Sequence, residues 1–241
     1  MIRTAVVITV LLFLVTLVVR LPAALVAGLL PAPLHCEDAS GTLWSGACGQ
    51  LRSGTFSVSD LTWTLHPSAL LRLSIAADVE SADPALRGHA AIDYSRGGLL
   101  SMTQLNASAA LQRGALLGLP VTGVVVLALP QASVLEGHVR SLQGSITLQQ
   151  LHIANPPTDL GDFELQFAPQ GAGDPMIGQL RDVNSPLSVA GQLRLLPSGA
   201  YELSGTLAAH DPQDAHLNQV LQLLGPADAQ GRHAFSLAGT L

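Results

Sequence analysis

Most of this 241-residue chain alternates apolar and polar residues with a period of two, a pattern that fits strands and not helices. Leu61, Trp63 and Leu65 alternate with Thr62 and Thr64, and Leu71, Leu73, Ile75 and Ala77 alternate with Arg72, Ser74, Ala76 and Asp78. The rule returns at Ile146 and Leu148, at Phe163, Leu165 and Phe167, and at Leu187, Val189, Leu193 and Leu195. It closes the chain at Tyr201, Leu203 and Leu207, then at Phe235, Leu237 and Leu241. Val121 to Leu129 is an unbroken apolar run, expected to be a strand buried on both faces. The 23 Gly and 15 Pro are spread between these segments, so a long helical array is excluded. The expected fold is mainly β: a curved or coiled antiparallel sheet with a short helix, preceded by one transmembrane helix.

A small recurrence runs through the later strands. An apolar residue is followed by Gly two positions on and a second apolar residue two beyond that, centred on Gly144, Gly191, Gly205 and Gly239. Glycine inside a strand marks a bulge, a bend or the close approach of another backbone. One helix is well signalled. Asp211 is placed to cap it, Pro212 suits its first turn, and Leu217, Val220, Leu221 and Leu224 share one face before Gly225 and Pro226. Short helices are further options at Ser68 to Leu71 and at Gly114 to Leu119.

Thr4 to Val19 carries no charge and is flanked by Arg3 and Arg20. It falls a little short of the usual ~20-residue span, and the apolar stretch to Leu34 together with snorkelling of Arg20 extends it. An uncleaved signal anchor and a signal peptide cut near Leu25, Val26 and Ala27 both fit. Arg20 and Pro22, standing between the apolar run and that cut, favour the anchor. The expected division is 1–34 as transmembrane anchor and membrane-exit segment, and 35–241 as a β-rich domain outside the cytosol. Arg3 and the terminal amine place the N-terminus in the cytosol.

Charged residues make up only 12% of the chain, against about 25% in ordinary soluble domains. All of the cationic side chains are Arg. The absence of Lys excludes a P-loop and a Schiff-base lysine. A formal net charge of −6 without a basic stripe argues against nucleic acid as a partner. His210, Asp211, Asp214 and His216 could ligate a metal, but their spacing matches no zinc pattern, and a capped helix start with surface polar residues is the simpler reading. Gly171, Gly173 and Gly178 miss the dinucleotide-binding spacing. No nucleophile motif or carboxylate pair stands out, so no catalytic residue, cofactor or metal is expected and the chain is read as a non-enzyme.

Cys36 and Cys48 are the only cysteines. A pair beyond an export segment reads as a disulfide, with two buried thiols as the alternative. The intervening residues suffice for a hairpin carrying Gly41 to Gly46.

Between the cysteines lies the most distinctive stretch: Gly41, Thr42, Leu43, Trp44 and Gly46. After it come Trp63, Leu65, Pro67, Leu70 and Leu71 at fixed spacings. Near the end stand Pro197, Gly199, Tyr201, Leu203 and Gly205, then Leu221, Leu224, Gly225, Gly231 and Arg232. In this order the motifs resemble the type II secretion system protein N family, and the Leu21–Pro22 exit from the apolar run agrees. The cysteine pair is not part of that pattern. The resemblance implies an AsmA-like, β-rich periplasmic domain held by a single-pass helix in the inner membrane. It implies an accessory subunit that contacts other inner-membrane subunits of the secretion machine and supports export of folded proteins across the outer membrane. A lipid-binding or lipid-transfer protein with an apolar β groove is the alternative. The motif residues are expected to be structural, with Trp44 and Trp63 as packing residues.

Overall fold

The computed structural model describes residues 8–9, 12–13, 16–29, 34–54, 56–116, 119–154, 157–169, 174–222 and 225–240. Expectations resting on Arg3, Thr4, Pro33, Gly171, Gly173, Leu224 and Leu241 lie outside them. The chain divides into two compact units, Met1–Arg96 and Gly97–Leu241. Thirteen strands are described, five in the first unit and eight in the second. Within each unit every strand pairs antiparallel with its neighbours in sequence. Short polar or Gly-containing turns suffice for such a meander, and no crossover is needed.

In the first unit, residues 8–9, 12–13 and 16–19 are helical, and a six-residue helix α1 follows at Ala24–Leu29. No helix among the described residues is long and apolar enough to cross a membrane. The strands are β1 (Leu34–Gly41), β2 (Ser45–Ser53), β3 (Phe56–His66), β4 (Ser74–Ala82) and β5 (Leu86–Ser95). Their core gathers Ala23, Cys48 and Trp63, with Cys36, Ala39, Leu51, Leu61, Leu65 and Val79 packed around them. A 3-10 turn at Pro67–Arg72 joins β3 to β4, in keeping with the short helix expected at Ser68 to Leu71. The alternation from Leu71 to Ala77 is misleading at its start. β4 begins only at Ser74, and Leu71, Leu73 and Ile75 are exposed. Pro67 sets the backbone of the turn, which ends with Leu73 in the left-handed region at φ +57°.

In the second unit come β6 (Leu99–Leu116), β7 (Leu119–Leu135), β8 (His138–Ala154), β9 (Pro157–Phe167), β10 (Met176–Asn184), β11 (Leu187–Leu195), β12 (Ala200–Ala209), helix α2 (Ala215–Gln222) and β13 (His233–Thr240). The helix option at Gly114 to Leu119 is replaced by the ends of β6 and β7. The core is Val121, Leu151, Ile153, Phe163, Leu187, Val189, Leu217 and Leu221. The last two come from α2 and bury the predicted face, each worth about 1.5–3 kcal/mol of transfer free energy.

Two expectations need correcting here. The helix starts one turn later than Asp211. The Asp211 carboxylate accepts the Gln213 amide in a local turn, while Asp214 caps the helix by accepting the Leu217 N–H at 3.0 Å. Val121 to Leu129 is a strand, but only its ends are buried; Val124 to Leu127 are half-buried. Its ladder breaks at Pro130, where the β7–β8 register shifts opposite Gly144. Proline lacks the amide that a continuous ladder requires, and Gly144, at φ +122°, takes the backbone angle of the bulge.

The glycine recurrence has a second physical meaning. Gly205 is the ladder partner of Phe235, and Gly239 that of Tyr201. A Cβ on Gly205 would lie 2.8 Å from Phe235 Cζ, and one on Gly239 would lie 2.7 Å from Tyr201 Oη. Outside the recurrence, Gly178 stands opposite Phe167 in the same way, 2.8 Å from its Cε1. Each ring folds across the strand onto its glycine, covering the backbone where a side chain is missing.

Candidate functional site: a hairpin clamp on the N-terminal helix

The cysteine-flanked motif builds the tip of the β1–β2 hairpin. Thr42 closes it: its amide donates to Ser45 O at 2.8 Å, and its Oγ1 accepts the Ser45 N–H at 3.1 Å. Gly41 takes φ +88°, and a Cβ there would lie 2.7 Å from Ser45 O. A Cβ on Gly46 would lie 2.5 Å from Trp63 Cζ2, 2.8 Å from Ser40 O and 2.9 Å from Thr42 O. Both glycines are therefore required by space, and Gly41 also by its backbone angle.

This tip grips the chain that leaves the N-terminal helix. Trp44 Nε1 donates to Val18 O at 2.8 Å, and the Leu43 amide donates to Leu21 O at 2.7 Å. In return the Ala23 amide donates to Gly41 O at 3.2 Å, and Pro22 bridges Thr42. The last carbonyls of a helix are short of partners within it; Val18 O accepts only a long bond from the Leu21 amide at 3.4 Å, and the indole adds the shorter one. Ala23 is fully buried beside Cys48 and Trp63 in the core of the unit. Below the tip, Trp63 Nε1 donates to Leu43 O at 3.1 Å and the Leu65 amide to Trp44 O at 2.7 Å. Cys36 on β1 and Cys48 on β2 are disulfide-bonded across the hairpin's own strands, with Cα atoms 5.9 Å apart.

The structure thus brings Gly41, Thr42, Leu43, Trp44, Gly46, Trp63 and Leu65 into one assembly, while Pro67 opens the neighbouring 3-10 turn. Trp63 is a core residue at 9% exposure; Trp44 is half-buried and works through its N–H. Val18, Leu21 and Ala23 were not singled out as partners by sequence reasoning, because two of them act through backbone carbonyls and the third through its amide. Asp83 was also missed. Its buried carboxylate accepts the Ser59 amide at 2.6 Å, Ser59 Oγ at 2.8 Å and the Ala85 amide at 2.7 Å. The Ser59 amide, followed by that of Ala85, holds its pKa below the ordinary carboxylate value. The Asp-Pro pair at Asp83–Pro84 was the available signal.

The remaining candidates do not converge. His210 faces Asp182 at 3.3 Å, whereas Asp211 and Asp214 are engaged with backbone amides; the His216 side chain lies outside the described residues. Partial burial pushes the Asp182 carboxyl up, but the Val189 amide and His210 outweigh it and leave it below its ordinary value. In the second unit an open recess of about 640 Å³ is bordered by Pro130, Phe167 and Ile177 together with Gln143, Gln166 and Arg181. Arg181 is paired with Glu164 through Nε at 2.9 Å.

A β-meander unit that builds the end of an N-terminal helix into its own core defines the class: a helix-tethered β protein. The family model "Type II secretion system (T2SS), protein N" matches residues 32–236. The chain belongs to that family and is a component of the type II secretion system. It is 29% identical to the type II secretion system protein N of Aeromonas hydrophila over 236 residues, covering 93% of each chain. Its identity to the Vibrio cholerae protein is 28% over 237 residues, covering 94% of this chain and 93% of that one. To the Klebsiella pneumoniae protein it is 29% over 230 residues, covering 91% and 88%. No solved structure matches.

Proposed function

We propose that this chain is an accessory, single-pass subunit of the inner membrane whose β-rich part, residues 35–241, stands in the periplasm and contacts other inner-membrane subunits of the secretion machine. In this reading it supports export of folded proteins across the outer membrane and carries no catalytic residue or cofactor. The observation that carries it is the clamp. Trp44, Leu43 and Gly41 hold residues 18–23 by three hydrogen bonds, so the helix end and the first β unit move together. A flexible linker would let the domain sample all orientations, whereas a clamp fixes how it meets a neighbour in the same membrane. Deletion of the gene, complemented by the parent chain or by Trp44→Ala, tests this. Secreted enzymes in the medium should fall on deletion, return with the parent and return only in part with Trp44→Ala at equal protein level. Full secretion from the deletion strain, with no machine subunit co-purifying, would refute it.

A second reading rests on the recess beside Phe167 and Ile177: a lipid-binding protein with an apolar β groove. Phospholipid retained at fixed stoichiometry by the purified second unit's surface, and lost on Ile177→Glu, would favour it. The polar border of Gln143, Gln166 and Arg181 makes this the weaker reading.

A further inference from the structure

The clamp fixes which end of the first unit faces the N-terminal helix, and the same end carries a set of exposed leucines. Ser45 is the ladder partner of Thr64, and the Leu65 amide reaches Trp44 O, so β3 leaves the sheet level with the clamp. Two residues later the 3-10 turn Pro67–Arg72 begins. Neighbouring strands are about 4.8 Å apart, so turn and clamp stand roughly 10 Å from each other along the sheet. In this turn Leu71 is 90% exposed, Leu73 65% and Leu70 50%. Ile75 and Tyr94, opposite one another on β4 and β5, continue the exposed patch.

The turn is constructed to hold these side chains outward. Only Ala69 is buried beneath it, Pro67 fixes its entry, and the Leu73 amide closes it by donating to Leu70 O at 3.0 Å. Leu73 sits at φ +57°, a region in which leucine is strained. Three arginines, Arg20, Arg72 and Arg96, are exposed at this end and outnumber its two nearby carboxylates, Asp78, which is bonded to His66 at 2.8 Å, and Asp93, which accepts Ser74 Oγ at 3.2 Å. Exposed leucines with a flanking Tyr and exposed arginines are the composition of a segment that lies in the headgroup region of a bilayer. The helix that ends at the clamp is itself exposed and apolar at Leu12, Phe13 and Leu17, so the two surfaces adjoin at one end.

We propose that the Pro67–Leu73 turn is a second membrane contact: Leu70, Leu71 and Leu73 enter the phospholipid interface of the membrane that holds the helix, with Arg72 at the phosphates. This rests on the helix being a membrane anchor, and the experiment separates the two. Single cysteines are introduced in the full chain, with the Cys36–Cys48 bond kept, by Ser68→Cys in the turn, Leu17→Cys in the helix and Ala85→Cys at the opposite end of the sheet. Each is labelled with an environment-sensitive fluorophore and reconstituted in phosphatidylethanolamine–phosphatidylglycerol vesicles with or without spin-labelled phospholipid. The labels at 68 and 17 should lose most of their emission to the spin-labelled lipid and the label at 85 none. Adding Leu71→Glu and Leu73→Glu should abolish quenching at 68 and leave that at 17. Quenching at 17 without quenching at 68 overturns the second contact and leaves the anchor standing. No quenching at either position overturns the anchor and this proposal with it. A blue-shifted label at 68 that lipid does not quench means that a second copy covers the turn, and overturns the proposal as well. So does quenching at 68 that survives the two Glu substitutions.

Discussion

Replacing Trp63 by Ala tests whether the clamp rests on the core. The indole is 9% exposed and lies across Gly46, and it packs with Ala23 and Cys48. An aromatic of this kind buries roughly 150–250 Å². At about 25 cal/mol per Å² that is ~4–6 kcal/mol, an upper bound because the unfolded chain already hides part of the ring. A loss of about 3–5 kcal/mol is therefore expected for Trp63→Ala. Trp63→Phe keeps most of the ring and forfeits the hydrogen bond to Leu43 O, so it should lose about 1–2 kcal/mol. Gly46→Ala pushes a methyl into the same ring and into two carbonyls, for about 1–3 kcal/mol. Combined with Trp63→Ala it should lose less than the sum, because one of the three close contacts is gone; the contacts to Ser40 O and Thr42 O remain, so the coupling is partial. Denaturant unfolding of the full chain in detergent micelles, followed by far-ultraviolet circular dichroism, gives all four values. A Trp63→Ala chain within about 1 kcal/mol of the parent would refute the packing argument, and strictly additive single losses would refute the ring contact at Gly46.

Thiol labelling of the denatured, unreduced chain should find no free cysteine, and changing both Cys36 and Cys48 to Ser should lower stability by about 3 kcal/mol or less, the loop-closure value for a short loop. Asp83 has a lowered folded pKa, so its contribution is complete above the ordinary value of 3.8 and is lost as pH falls through the folded value. The stability gap between the parent and Asp83→Asn should accordingly be constant above that value and close in more acidic solution; a gap that widens on acidification would contradict the assignment. Asp214→Ala should lose about 0.5–2 kcal/mol through the missing cap, while Asp211→Ala loses less, as read by thermal unfolding.

The strands were legible because period two survives wherever one face is covered more than the other, as at Leu187, Val189 and Leu195. The pattern failed where apolar residues are exposed by design of the backbone. Leu71 and Leu73 fit the alternation by accident, since a proline-started turn occupies the position of the expected strand. It failed again at Val124 to Leu127, where an apolar run meant two half-covered faces and not two buried ones. The helix start slipped by a turn because Asp211 and Asp214 offer the same carboxylate, and only the fold decides which meets the first free amides. The motif between the cysteines was visible as a motif. Its purpose was not, because the partners of Leu43 and Trp44 are main-chain carbonyls, which every residue possesses.

The glycines and aromatics carry one argument through both units. The chain has two Trp, two Tyr and five Phe, and four of these rings lie across a glycine on the adjacent strand: Trp63 on Gly46, Phe167 on Gly178, Phe235 on Gly205 and Tyr201 on Gly239. A strand pair with a bare glycine exposes backbone and loses cross-strand packing. A ring folded over it restores both without a second layer of structure. In the first unit the same device does more than cover backbone. The ring on Gly46 also supports Leu43, whose amide holds Leu21, and stands beside the buried Ala23. The sheet and the helix exit are therefore stabilised by one shared residue. A change that loosens Trp63 should loosen the helix end as well, with faster hydrogen exchange at the Leu43 and Ala23 amides than at amides of β5, which lies two strands from Trp63.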